Sequence, residues 1–147
     1  MLQSAEELSA QMRSDGETCE RLATRNGYGL NGRLDSLAQL EELIDSLTPW
    51  PQASEELRQA MVRVIGAYFG ELIRNALGGS WIWDEEYRTP AIQVSESVRI
   101  FPHSRVRKRW EEGAARSLSA FVDVLTTRLL SGSSPRSRQP PGWANGR

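Results

Sequence analysis

The chain has 147 residues, with 18 Lys and Arg side chains against 19 Asp and Glu, and 39% of its residues are apolar. This length suits one domain of ordinary size, since a chain of about 150 residues buries roughly 70% of its extended surface on folding. A single cysteine excludes a disulfide scaffold, and no apolar run approaches the roughly 18 residues that cross a bilayer. With no signal-peptide pattern at its start, the chain is expected in the cytoplasm, without a membrane partner.

Residues 1–33 are predicted to hold a short helix and then an irregular connector. Apolar residues recur at helical spacing over residues 2–12. Turn-forming glycines follow at Gly16, Gly27 and Gly32, so we expect the helix to end near residue 12. The compact domain is then expected to begin at residue 34.

Two stronger helices are predicted next. Leucine and isoleucine recur every three or four residues over 36–47, where Ser36 and Gln39 have the spacing of a capping box. A second helix over 54–77, with Ser54 as its N-cap, is apolar on most sides. A helix with so little polar surface must be covered on most sides, so we place it at the centre of the fold.

Small and large side chains in this region predict close packing. Gly66 and Gly70 lie four residues apart in the central helix, where each glycine costs about 1 kcal/mol relative to alanine. Their positions predict the close approach of a strand or another helix. Trp81 and Trp83 alternate with Ile82 and so share one face of a strand. We expect both indoles to pack on the glycine surface, with an exposed aromatic patch as the alternative.

The period of the apolar pattern changes to two over residues 80–101, which predicts a three-stranded antiparallel meander. In its second hairpin, pairing of Ile92 with Ile100 and of Val94 with Val98 would place all four side chains on one face. This self-consistency favours a three-residue loop between the last two strands.

Two further helices, over 104–112 and 117–130, complete the predicted domain. Residues 131–147 are rich in Ser, Pro, Gly and Arg and are predicted to form a disordered tail. The fold class is therefore α+β, one domain over residues 34–130, in which a central helix packs on a three-stranded antiparallel meander with flanking helices.

Candidate catalytic and metal-binding side chains are few. His103 is the only histidine, so a metal site would need Glu71 or the acidic run 84–86 to converge on it. We expect His103 instead to lie near the surface at the start of a helix. Cys19 has acidic neighbours that do not activate a thiol. We therefore predict no catalytic residue, no metal and no cofactor, with an enzyme built from dispersed residues as a third hypothesis.

The leading binding hypothesis places a protein partner on Trp83, Asp84, Glu85 and Glu86, which join an aromatic ring to three carboxylates. The front of the chain is also acidic, since residues 1–50 carry nine acidic and four basic side chains. We predict a non-catalytic protein-interaction module, either an adaptor or an inhibitor of the immunity type. Neither its partner nor its oligomeric state follows from the sequence.

A basic cluster supports the alternative. Arg105, Arg107, Lys108 and Arg109 lie beside Trp110, and on a helix Arg105, Lys108 and Arg109 would point outward. Basic side chains near an aromatic ring suit nucleic acid. The pI of 5.9 argues against this function, so an accessory protein that binds nucleic acid through this helix and the tail is the second hypothesis.

Several motifs also recur together along the chain. The run GAYFGE over residues 66–71 is followed by GGSW over 78–81, and later by Phe101-Pro102 and Lys108-Arg109. Over about residues 30–130 the chain resembles a family of small proteins from high-GC Gram-positive bacteria, a domain of unknown function. The resemblance implies a small α+β domain. It implies no activity, substrate or cofactor, so no residue role is transferred.

Overall fold

A computed structural model describes residues 4–47 and 54–132. The described residues form five α-helices and one antiparallel sheet with strand order β1-β2-β3, which confirms the predicted α+β class and its meander. The prediction of a tail beyond residue 132 lies outside the described residues. In chain order the elements are α1 (Ala5–Arg25), α2 (Leu37–Ser46), α3 (Glu55–Leu77), β1 (Ser80–Asp84), β2 (Thr89–Ser95), β3 (Val98–Ile100), α4 (Pro102–Glu112) and α5 (Leu118–Gly132).

Helix α1 corrects the expected end near residue 12, since it continues to Arg25. Its start is fixed by a capping box in which Ser4 and Glu7 each accept a hydrogen bond from the other's backbone N–H. Gly16 does not end the helix, because it lies against α3, close to the Cα of Tyr68. The inner face of α1 therefore joins the common core through Leu8, Met12, Cys19 and Ala23.

Helix α3 lies at the centre, as predicted, and contacts α1, α4 and β2. Ten of its residues are buried, which fits its wide apolar surface. Its predicted N-cap is also confirmed, since the Ser54 hydroxyl accepts a hydrogen bond from the Leu57 N–H at 3.1 Å. At the other end, Gly78 has a φ of 88°, a conformation that glycine adopts without strain.

The predicted capping box of α2 is wrong. The Ser36 hydroxyl makes no cap hydrogen bond to α2 and instead donates to the Arg33 carbonyl at 2.8 Å. It also lies 3.1 Å from the hydroxyl of Tyr68 on α3. The Ser36 hydroxyl, which the local pattern assigned to the start of α2, therefore makes a tertiary contact instead.

The sheet confirms one predicted cross-strand pair and corrects the other. Ile92 opposes Ile100, but Val98 opposes Ser95 rather than Val94. The cause is an irregularity between Gln93 and Ser95, where one extra residue is accommodated on β2 as in a β-bulge. The loop between β2 and β3 is therefore two residues long, not three.

Both C-terminal helices are longer than predicted. Helix α4 begins at Pro102, two residues early, because proline needs no N–H partner in a first helical turn. Helix α5 continues through Gly132, so the first two residues assigned to the tail are helical. Leu118 and Val122 bury the predicted apolar face of α5.

Candidate binding surface

The residues predicted to bind a partner lie in the hairpin tip, defined here as residues 83–88, the last two residues of β1 and the turn that leads to β2. They do not share one environment. Trp83 is 39% exposed and Asp84 is buried, whereas Glu85 and Glu86 are exposed in the turn. The structure therefore divides the predicted surface and leaves Trp83, Glu85 and Glu86 accessible.

The two strand tryptophans have different surroundings, although they share one face of β1. Trp81 is 1% exposed and packs against Gly70, as predicted. Trp83 lies two residues nearer the turn, opposite Pro90, where its indole is only partly covered. The prediction of a buried indole is thus wrong for Trp83, and the alternative of an exposed aromatic is correct there.

Asp84 holds the turn in place. Its carboxylate accepts hydrogen bonds from the Tyr87 backbone N–H at 2.8 Å and from Arg99 Nη1 on β3 at 2.7 Å. These two interactions, the Tyr87 N–H first, hold the pKa of the Asp84 carboxyl below its ordinary value. Arg99 also donates to Gln93 at 2.6 Å, so the turn is tied to all three strands.

A second aromatic side chain, not singled out in the sequence, lies beside this turn. Tyr87 is 64% exposed, and its ring meets the ring of Phe101 edge to face at a centroid distance of 5.3 Å. Arg88 has a φ of 51°, a left-handed conformation that is uncommon for a residue with a side chain. The hairpin tip thus presents two exposed aromatic rings on a constrained turn.

The basic cluster is dispersed rather than assembled. Arg109, predicted to point outward, is buried and donates to Glu41 at 2.6 Å and Asp45 at 3.0 Å. Arg105 lies over the ring of Phe121, 4.0 Å from its centroid. The two remaining side chains differ as well, since Lys108 is exposed and Arg107 is close to two carboxylates, those of Glu111 (3.4 Å) and Glu55 (3.6 Å).

Glu41 connects α2 to two distant parts of the chain. Besides Arg109 it accepts hydrogen bonds from the Ser117 hydroxyl at 3.0 Å and the Ser119 backbone N–H at 2.9 Å. Burial alone would raise the pKa of Glu41, but these donors outweigh it and hold the pKa below its ordinary value. Sequence reasoning missed this link because its members are some 70 positions apart along the chain.

The expected surface position of His103 is also wrong. Its ring is buried in the first turn of α4, and neither ring nitrogen has a hydrogen-bond partner among the described residues. No group of three His, Cys, Asp or Glu side chains within residues 4–47 and 54–132 is placed to hold a metal ion. Cys19 is free and fully buried, and burial, with a smaller effect of Glu20, raises the pKa of its thiol to about 12.

A cleft of about 170 Å³ lies between α1 and α3. The Tyr68 hydroxyl at its wall accepts from the Gly32 N–H at 2.9 Å, and burial raises the pKa of Tyr68. Glu71 accepts hydrogen bonds from the Trp81 indole at 2.7 Å and from Arg74 at 3.1 Å. Tyr68 and Glu71 are therefore engaged in contacts within the fold.

Residues 41–121 match the family described as Domain of unknown function (DUF3806), which covers more than half of the chain. The chain belongs to this family. The DUF3806 region runs from Glu41 to Phe121 and so includes α3, the whole sheet, α4 and both partners of the Glu41–Arg109 ion pair. The resemblance to a domain of unknown function is confirmed.

Two other comparisons, with curated proteins and with solved structures, gave no match. In the part of the chain that the structure describes, no helix has the length and hydropathy needed to span a bilayer.

Proposed function

We propose that this DUF3806 protein is a non-catalytic interaction module that binds a protein partner through its hairpin tip. The observation that carries the proposal is the exposure of Trp83 and Tyr87 on a turn that Asp84 and Arg99 hold in place. Tryptophan and tyrosine are enriched among the residues that dominate binding energy at protein interfaces.

Rigidity of the turn supports this role. A loop that is already ordered loses less conformational entropy on binding than a flexible one, so more of its contact energy appears as affinity. The Asp84 hydrogen bonds and the contact between Tyr87 and Phe101 supply such order before a partner arrives. The left-handed conformation of Arg88 fits the tendency of strained residues to occur at binding sites.

The charge around the aromatic rings indicates the chemistry of the partner. Glu85 and Glu86 are exposed beside Trp83, and neither has an ion pair with a described residue. Charged rims steer association toward surfaces of opposite sign. We therefore infer a partner with an apolar pocket bordered by basic side chains. This protein would bind that partner as an adaptor or as an immunity-type inhibitor.

Cytoplasmic location in a bacterium belongs to the same proposal. A buried free thiol such as that of Cys19 suits a reducing compartment, where disulfides are rare. Nucleic-acid binding through Arg105, Arg107, Lys108 and Arg109 is the weaker proposal, because Arg107 and Arg109 are paired with carboxylates and Arg105 covers an aromatic ring.

Truncation of both aromatic rings is expected to abolish partner binding. The test compares the full chain with the double variant Trp83→Ala/Tyr87→Ala in a nuclease-treated pull-down from the source organism, followed by titration of the captured protein. Because truncating a single dominant interface residue costs about 2 kcal/mol or more, the affinity should fall by at least roughly 30-fold. Circular dichroism of both proteins checks that the variant is folded.

A matched control uses exposed apolar side chains elsewhere on the molecule. Leu57 on α3 is 49% exposed and Val124 on α5 is 57% exposed, so Leu57→Ala/Val124→Ala truncates exposed apolar side chains away from the hairpin tip. This control should retain the partner. Equal affinity of the hairpin-tip variant and the wild type would reject the proposed surface. Recovery of nucleic acid alone, when nuclease is omitted, would favour the weaker proposal.

A further inference from the structure

We propose that His103 makes this fold acid-sensitive: its neutral imidazole fills the junction of α3, α4 and β1, and protonation opens that junction. This acid sensitivity is a property of the fold itself and does not depend on whether the hairpin tip binds a partner.

The imidazole is closely packed between two neighbouring elements. A Cβ atom built on Gly66 would lie 2.5 Å from His103 Cδ2 and 2.9 Å from its Cα, so only a glycine on α3 permits this contact. On the other side, the Trp81 indole meets the imidazole edge to face at a centroid distance of 6.1 Å. The side chain is 9% exposed and thus touches α3 and β1 from the first turn of α4.

The surroundings provide little that would stabilise an imidazolium. Nδ1 and Nε2 are both buried, and neither has a hydrogen-bond partner in the part of the chain that the structure describes. The Arg63 backbone lies near the ring and partly offsets the effect of burial, but neither nitrogen makes a hydrogen bond of ordinary geometry with it. A protonated ring would carry two N–H donors and a charge, and burying such a group without a partner is strongly unfavourable.

The charged side chains near the ring on α3 and α4 form ion pairs with other residues. On α3, Arg63 faces Asp15 at 3.7 Å, and Glu71 binds Arg74 at 3.1 Å. On α4, Arg107 lies one turn beyond the imidazole and is paired with two carboxylates.

The strands add no acid beside the ring. Asp84, the one ionisable residue of β1, points to the opposite face of the sheet from Trp81 and is bound to Arg99. The segment β2, TPAIQVS, contains no ionisable side chain.

The direction of the pH dependence follows from these surroundings. Burial lowers the pKa of His103 to about 4, from an ordinary value of 6.5. The folded state is therefore fully favoured above about pH 6.5, and its advantage falls as the pH drops, because the open chain takes up the proton first. Between pH 6.5 and 4, the folding equilibrium constant should fall by about 80-fold through this residue alone.

A direct test uses the fact that the chain has a single histidine. In untagged protein, one imidazole ¹³C–¹H signal should report its protonation state by NMR without ambiguity. We expect the folded-state signal to remain that of a neutral ring down to about pH 5 and then to be lost together with the Trp81 indole N–H signal. A folded-state signal that titrates near pH 6.5 would overturn the proposal.

A second measurement separates His103 from carboxylates that also protonate in acid. Urea unfolding of wild type, His103→Leu and His103→Gln is compared from pH 7.5 to 4, with two variants so that one unstable protein does not decide the outcome. The Glu41 network is unchanged in all three proteins, so its contribution cancels in the comparison. From pH 7.5 to 4, the folding equilibrium constant of the wild type should fall by about 140-fold more than that of either variant. Parallel pH profiles would reject the acid-sensitive junction.

Discussion

Replacing Arg109 with methionine is expected to reduce the free energy of unfolding by about 3 kcal/mol at neutral pH, because it leaves the carboxylate of Glu41 without its buried cation. The two side chains are 6% and 13% exposed, and their ion pair is 2.6 Å long. Methionine fills a similar length of space without charge, so the loss reports the broken pair more than a cavity. The expected loss of unfolding free energy is at the lower end of the range for broken buried ion pairs, since Ser117 and Ser119 still donate to Glu41.

Urea unfolding of Arg109→Met and Arg107→Met measures this difference. Arg107 is the matched control, because it lies on the same helix but pairs with Glu55 and Glu111, which are about half exposed. Exposed ion pairs contribute about 0 to 1 kcal/mol, so Arg107→Met should leave stability nearly unchanged. Equal and small effects of the two substitutions would show that the Arg109 network does not stabilise the fold.

The pH dependence of the same comparison has a defined sign. The pKa of Glu41 is held below its ordinary value in the folded state, against the opposing effect of burial. The stabilisation is therefore present above the ordinary glutamate pKa and is lost as the pH falls below it. The difference in free energy of unfolding between wild type and Arg109→Met should therefore decrease in acid. The loss of stability caused by His103 begins at higher pH, between pH 6.5 and 4.5.

Local signals predicted the parts of the fold that depend on neighbouring residues. The start of α3 at Ser54 and its end before Gly78 follow from capping chemistry, and the wide apolar surface of the helix predicts its central position. The pair of Ile92 and Ile100 follows from alternation within one hairpin. Each of these features depends on residues within about ten positions of one another, except for the covering of α3.

The predictions made from the sequence were wrong where tertiary contacts overrode the local pattern. Gly16 is a turn signal by composition, but it lies within α1, against Tyr68 on α3. Ser36 has the spacing of a capping residue, yet its hydroxyl lies within hydrogen-bond distance of the Tyr68 hydroxyl. Arg109 was assigned to the outer face because its two carboxylate partners lie on α2, more than 60 residues earlier.

The candidate site was predicted only in part, for the same reason. Trp83 and the neighbouring acids were found as a composition feature of one short run. Tyr87 was not, since its importance depends on exposure and on a contact with Phe101 after β3. The structural role of Asp84 likewise needed the position of Arg99 on β3, which sequence alternation alone does not supply.

Gly70→Ala is expected to destabilise the protein by about 2 kcal/mol, although in a helix interior alanine is more favourable than glycine by about 1 kcal/mol. The added Cβ would overlap Cη2 and Cζ2 of the Trp81 indole and lie 3.1 Å from Pro102 Cγ. The indole cannot easily turn away, because its N–H donates to Glu71 at 2.7 Å and its ring is buried. Overpacking should therefore exceed the gain in helix propensity and displace β1 from α3.

The same substitution at Gly16 is the matched control and should have the opposite sign. There the added Cβ would meet its nearest atom, the Cα of Tyr68, at 3.6 Å, which is ordinary van der Waals contact. Gly16→Ala should leave stability unchanged or raise it by up to about 1 kcal/mol, through helix propensity alone. Urea unfolding of both variants, with the Trp81 indole N–H signal as a local probe, measures the contrast. Equal stability of the two variants would contradict a close contact between the central helix and the strand that carries the hairpin tip.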